Sequence, residues 1–248
     1  MPGLEELPAL RVPAVTAKQM AQIDRAAAEE YAIALDLLME NASRGIAVGA
    51  RALLGGSVSG RRVVALAGPG NNGGDALGAA RYLHNWGADV RGVVAQPANR
   101  LRELPHRQYQ ALAALRVPLE HGLAANAFAG VDVVLDGLLG YSASGAPRGA
   151  IAAMIDAANG SRVPILAIDL PSGLDPDTGA PLGTAIVAVV TVTLGLPKVG
   201  LVAERALRHV GTLLVADIAV PPEAYVRFGI DARGVFRDGD VVRVLGER

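Results

Sequence analysis

The densest cluster of residues able to do chemistry is Gly68-Pro69-Gly70-Asn71-Asn72-Gly73-Gly74-Asp75, which follows an apolar run and opens a helical pattern. Glycine lets a backbone approach a ligand closely, and the unpaired N–H groups of a helix start attract phosphate. Gly68, Gly70 and Gly73 match the G-x-G-x-x-G spacing of dinucleotide-binding turns. In such turns the next strand ends in an acid that holds the ribose hydroxyls. Here it ends Val94-Ala95-Gln96, which weakens the case for an NAD-dependent oxidoreductase. A plain strand-to-helix turn also satisfies the spacing. Two asparagines and an aspartate in a row are more polar than that turn requires.

Two further apolar runs end in carboxylates: Val133-Val134-Leu135 at Asp136, and Leu166-Ala167-Ile168 at Asp169. A single such Asp reads better as a helix cap or a satisfied turn than as a site residue. Three polar loops at equivalent strand ends are different, because the C-terminal ends of parallel strands line one crevice. The stretch Asp169-Leu170-Pro171-Ser172-Gly173 is a stiff polar loop. Ser172 lacks the G-x-S-x-G elbow of a hydrolase nucleophile. His84, His106, His121 and His209 read as surface or helix residues, and no spacing suits zinc. Oxygen ligands without excess negative charge suit a large monovalent cation better than magnesium.

The elements that position these residues alternate. Strands are expected at 63–67, 90–95, 131–135, 163–168, 186–194 and 212–215, with helices at about 74–86, 101–115 and 150–158 between them. Strands separated by helices imply βαβ units and a largely parallel sheet. Two helices precede the first strand. Thr16 caps one, with Gln19 completing a capping box, and the other runs from about Asp36 to Gly55. They carry apolar residues on more than one side, namely Met20, Ile23, Ile33, Leu35, Leu37, Leu38 and Met39. Covering a sheet needs only one such face, so a symmetric homodimer is expected, with internal packing of both faces as the alternative.

Composition narrows the class. The 248 residues are 51% hydrophobic, 19% charged and 4% aromatic, which suits a single domain over 1–248 with an aliphatic core. A net charge of -1 without a basic stripe gives nucleic-acid binding no electrostatic support. The absence of cysteine excludes disulfides, thiol catalysis and Cys-ligated zinc, and leaves the redox compartment open. Met1 to Val12 has no signal-peptide core. The uncharged stretch 178–197 approaches membrane-spanning length, yet Gly and Pro interrupt both ends and its centre is β-branched, so it reads as a buried strand. The expectation is a cytoplasmic protein without membrane partners.

The glycine loop, Asp169-Leu170-Pro171-Ser172-Gly173, Gly195-Leu196-Pro197-Lys198-Val199-Gly200-Leu201, Asp217-Ile218 and Leu38-Met39-Glu40-Asn41-Ala42 together resemble the NAD(P)H-hydrate epimerase family, the YjeF N-terminal domain. The resemblance spans Thr16 to about Pro221. It implies an α/β fold, a Rossmann-like three-layer sandwich with a mostly parallel central sheet and two added N-terminal helices. It implies an isomerase that interconverts the R and S forms of NADH and NADPH hydrated at C6 of the nicotinamide ring. It also implies a potassium ion held by Asn72, Asp136 and Ser172, and Asp169 as acid/base. Substrate contacts would come from Asn71, Asn72, Gly73, Gly74, Asp75 and Asp169, and from the loop Gly140, Tyr141, Ser142, Ala143, Ser144, Gly145 and Ala146. Two departures stand out: Asp75 is followed by Ala76 rather than Gly, and Leu138 to Gly145 replaces the family's F-G-T-G. Bifunctional relatives continue into a dehydratase domain, so a separate dehydratase is expected here. A non-catalytic nucleotide-binding or scaffold domain of the same fold remains the alternative.

Overall fold

The computed structural model describes residues 3–246. Two N-terminal helices, α1 (Ala17–Glu29) and α2 (Leu35–Leu53), follow a two-residue strand β1 (Ala9–Leu10). The alternating body runs β2 (Arg62–Ala67), α3 (Asn71–Asn85), β3 (Asp89–Val94), α4 (Glu103–Ala114), β4 (Leu119–His121), β5 (Val133–Gly137), α5 (Gly149–Ser161), β6 (Ile165–Ile168) and β7 (Val190–Leu194). It closes with α6 (Leu207–Val210), β8 (Thr212–Ala216), α7 (Pro222–Val226) and β9 (Val241–Val244).

All these strands join one sheet in the order β1-β9-β8-β7-β6-β5-β2-β3-β4, parallel throughout except for β8 against β9. After β1 at one edge, the alternating body starts near the middle at β2, runs outward through β3 and β4, then returns to the other side of β2 as β5. The strand order therefore reverses between β2 and β5, where open α/β sheets leave a crevice for ligands. Residues alternate across the sheet. Val63, Ala65 and Ala67 face the core under α2 and α3, while Val64 and Leu66 pack with Met154 and Ile155 of α5. This is a three-layer α/β sandwich.

The capping box is present as expected: the Gln19 N–H donates to Thr16 Oγ1 at 3.1 Å, and the Thr16 N–H donates to Gln19 Oε1 at 2.8 Å. The expected strands at 163–168 and 186–194 are shorter in the structure. Pro164 lacks an N–H to contribute, and Val190 is where β7 first finds both neighbours, Leu166 and Thr212. The short strands β1, β4 and β9 carry too few residues for a readable alternation. No helix of the described residues is long and apolar enough to cross a membrane, and the uncharged stretch contributes β7 to the sheet interior.

Candidate active site

The glycine loop owes its shape to close approach. A Cβ on Gly68 would lie 1.9 Å from the Leu138 carbonyl oxygen, and one on Gly73 would lie 2.0 Å from that of Gly68. Gly74 leaves the same kind of room for Met39. Gly73 and Gly74 thus serve packing and do not line the crevice. Gly70 has open space around it and caps α3 without a side chain. The first N–H groups of α3, at Asn71 and Asn72, have no partner within the helix.

Above the ends of β2, β5 and β6 lies a cavity of about 320 Å³, walled on its far side by α1 and α2. Asn71, Asn72 and Asp75 line it from the glycine loop, Gly140 to Ala143 from the loop after β5, and Asp169 from the end of β6. Ser144, Gly145 and Ala146 are solvent-exposed and stand outside it. Arg102, exposed at the start of α4, brings a guanidinium to the wall. Gln96, which stands in place of the ribose-binding acid, is exposed and does not reach the cavity.

Asp169 is almost fully buried and sits in the left-handed backbone region at φ 66°. Asp tolerates that region better than most residues, and such positions collect at functional sites. Its Oδ1 accepts from the Lys198 ammonium at 2.5 Å, and its Oδ2 accepts from the Tyr141 N–H at 3.3 Å. Lys198 is itself fully buried. It also donates to the Leu194 carbonyl at 3.2 Å and lies 5.2 Å from the centre of the Tyr141 ring. The N-terminal segment holds Lys198 in place, because Val15 pairs with it as an isolated bridge. Asp24 of α1 adds a second carboxyl to the wall, with Oδ2 accepting from the Tyr141 hydroxyl at 2.7 Å.

Sequence reasoning quoted Lys198 in a motif without giving it a role, and assigned α1 to covering the sheet and to a dimer contact but not to the site. A signal for the lysine was available: it is the single charge that closes the uncharged run 178–197. No local signal marks Asp24. The histidine reading holds, since His84, His106 and His209 lie on helices and His121 is exposed. His209 is buried, with Nδ1 2.8 Å from the Ile186 carbonyl, and His121 ends an edge strand. Neither lines the cavity.

Asp136 and Ser172 lie beneath the cavity and are completely buried. The Ser172 hydroxyl donates to Asp136 Oδ1 at 2.6 Å, its N–H donates to Oδ2 at 2.8 Å, and the Leu138 N–H donates to Oδ1 at 3.3 Å. Burial pushes the Asp136 carboxyl up to about 6, and these hydrogen bonds pull against that rise. No basic side chain of the described residues pairs with it. Asn72 adjoins this group, its amide donating to the Leu139 carbonyl at 2.9 Å. Asp75 is held well above the usual carboxylate range by burial, reinforced by the charges of Asp169 and Asp24. Burial also raises Asp24, against the Tyr141 hydrogen bond and the Lys198 charge.

Comparison with known proteins agrees on one group. The family model described as YjeF-related protein N-terminus matches residues 35–200. The NAD(P)H-hydrate epimerase of Dehalogenimonas lykanthroporepellens is 38% identical over 231 residues, covering 93% of this chain and 92% of that protein. The NAD(P)H-hydrate epimerase of Rhodopirellula baltica is 33% identical, covering 90% and 91%. A bifunctional NAD(P)H-hydrate repair enzyme of Moorella thermoacetica is 39% identical over 84% of this chain, which spans only 40% of that protein's length. The crystal structure of yeast ynu0 shares the fold, with a TM-score of 0.79 over 94% of this chain at 24% identity.

Proposed function

The chain belongs to the family of YjeF-related N-terminal domains, and on that footing we propose that it interconverts the R and S forms of hydrated NADH and NADPH at C6 of the nicotinamide ring, a metabolite-repair isomerisation. The observation that carries this reading is the buried Asp169–Lys198 pair on the wall of a cavity beside a glycine loop. Epimerisation at C6 requires the hydroxyl to leave as water and a water to return on the other face. The ring nitrogen stabilises the cation between these steps. A proton must be given and recovered, and Asp169 is the group we assign to that work. Lys198 holds the carboxyl at the cavity wall. The start of α3 and the Arg102 guanidinium suit the pyrophosphate. No redox step is involved, in keeping with Gln96 where a dehydrogenase carries an acid. The test is direct: purified protein incubated with a single epimer should yield the other above the uncatalysed rate, followed by chromatography. No conversion above that rate rejects the reading.

Potassium is part of the proposal. A buried carboxylate with no basic partner, flanked by hydroxyl and amide oxygens, fits a large monovalent cation, and Asn72, Asp136 and Ser172 would hold it. Bound there, the ion would supply positive charge beneath the loop after β5 and help to order it. At a hundred times its Kd, potassium stabilises the fold by about 2.7 kcal/mol, whereas equal lithium chloride does not. Asn72→Ala removes that increment in thermal melting. Equal melting temperatures in both salts would count against the site.

Self-association is proposed too. Met20, Ile23, Leu38 and Met39 are buried within the subunit, but Tyr31, Leu35 and Leu37 remain exposed around the α1–α2 turn. A homodimer covering this turn should have twice the chain mass in light scattering at micromolar concentration, and Leu37→Asp should halve it. A wild-type monomer mass rejects the dimer. The chain is read as one domain working in the cytoplasm, beside a dehydratase that acts on the same hydrates.

A further inference from the structure

Asp24 stands outside the glycine loop, the Asp169 loop and the potassium group, yet it lines the same cavity from the opposite wall, on α1. Tyr141 lies between the two carboxyls. Its N–H donates to Asp169 Oδ2 and its hydroxyl donates to Asp24 Oδ2. The carboxyls are thus held apart by the span of one tyrosine, while Lys198 bonds to Asp169 and not to Asp24. The remaining oxygen of Asp24, Oδ1, is out of contact with water and has no hydrogen-bond partner. An ionised carboxylate with such an oxygen is costly, and a proton relieves the cost. Burial raises Asp24 in the same sense. One carboxyl therefore sits where its surroundings favour the protonated form, and the other is paired with a buried ammonium.

We propose that Asp24 is the second proton-transfer group of this site, acting at the ring face opposite the one served by Asp169. The inference rests on the epimerase reading above and divides its single acid/base role between two groups. For a hydrate whose C6 hydroxyl faces Asp24, the carboxyl proton passes to that hydroxyl. The C6–O bond breaks with its electron pair leaving on water, and the lone pair of N1 forms the C6=N1 bond. A second water then attacks C6 from the Asp169 side and gives its proton to that carboxylate as the C=N pair returns to N1. One carboxyl has lost a proton and the other has gained one, and nothing is oxidised or reduced. The opposite epimer starts from that state and runs the steps backwards. Inverting glycosidases likewise separate two carboxyls so that leaving group and water occupy opposite faces.

The test uses one pure epimer of hydrated NADH in water enriched in oxygen-18, with inversion read by chromatography and label at C6 by mass spectrometry. Wild type inverts and labels. Asp24→Asn, matched in shape, is expected to lose inversion by about 10²-fold or more. It should still exchange label into the epimer whose hydroxyl faces Asp169, because Asp169, once it has taken a proton from solvent, can give that proton to the leaving hydroxyl and recover it from the returning water. Tyr141→Phe keeps both carboxyls and removes only the bond holding Asp24. It should slow inversion by roughly tenfold, at the low end of what a misplaced proton-transfer group costs, and slow label exchange at the Asp169 face by clearly less. Asp24→Asn inverting at the wild-type rate overturns the proposal. So does an equal loss of inversion and exchange in both variants, which marks a purely structural contact. A wild type that neither inverts nor labels overturns the epimerase reading itself, and this proposal with it.

Discussion

Asp169→Asn lowers epimerisation about 10²- to 10⁴-fold, the range that a positioned acid/base contributes, while the protein still folds. Asparagine keeps an oxygen to accept from Lys198 and tolerates the left-handed backbone at this position. It has no proton to exchange at the pH of the reaction, so the loss falls on turnover. The structural cost arises because a buried ammonium then faces a neutral amide. That cost is about 1–3 kcal/mol, or a melting temperature lower by roughly 2–12 °C for a chain of this size. Single-epimer kinetics and a melting curve on the same preparation separate the two effects. Turnover within a few-fold of wild type would sink the assignment of Asp169.

Lys198→Met is expected to damage stability more than Asp169→Asn does. The lysine and its partner are both almost fully buried, with side-chain exposures of 1% and 5%. Removing one member of such a pair leaves an uncompensated buried charge, which costs about 3–5 kcal/mol. Methionine fills nearly the same space, so the loss reports on charge rather than on a void. Activity falls as well, because the Asp169 carboxyl loses the ammonium that holds it at the cavity wall. The double variant Asp169→Asn/Lys198→Met should be more stable than Lys198→Met alone, since neither charge is then stranded. Wild-type melting of Lys198→Met would mean that the pair does not form in solution. A double variant as unstable as the sum of the singles would mean that the two side chains are not coupled.

Much of the architecture was legible because local rules were obeyed. The capping box at Thr16 is closed within four residues, and β2, β5 and β6 are built on apolar runs followed by Gly68, Asp136 and Asp169 in series. Errors came where neighbours rather than local sequence decide an element's extent. Ile186 to Val189 is as apolar and β-branched as Val190 to Leu194, but β6 and β8 flank only the latter. The strands β4 and β9 exist because an edge was open beside β3 and β8.

By itself the sequence determined the α/β class, the glycine loop at the first strand end and the family to which the chain belongs. Each of these is written in contiguous residues whose spacing has a direct backbone consequence. Only the tertiary structure decided that α1 supplies a wall of the site, that Asp24 meets Tyr141 across 117 positions of chain, and that Lys198 turns inward onto Asp169 rather than out to water. Packing of the core sets those encounters. Burying Met20 and Ile23 under the sheet fixes which way Asp24 points, and the Val15 bridge fixes Lys198. No local pattern encodes them, because side-chain burial depends on surfaces that exist only once distant segments have come together.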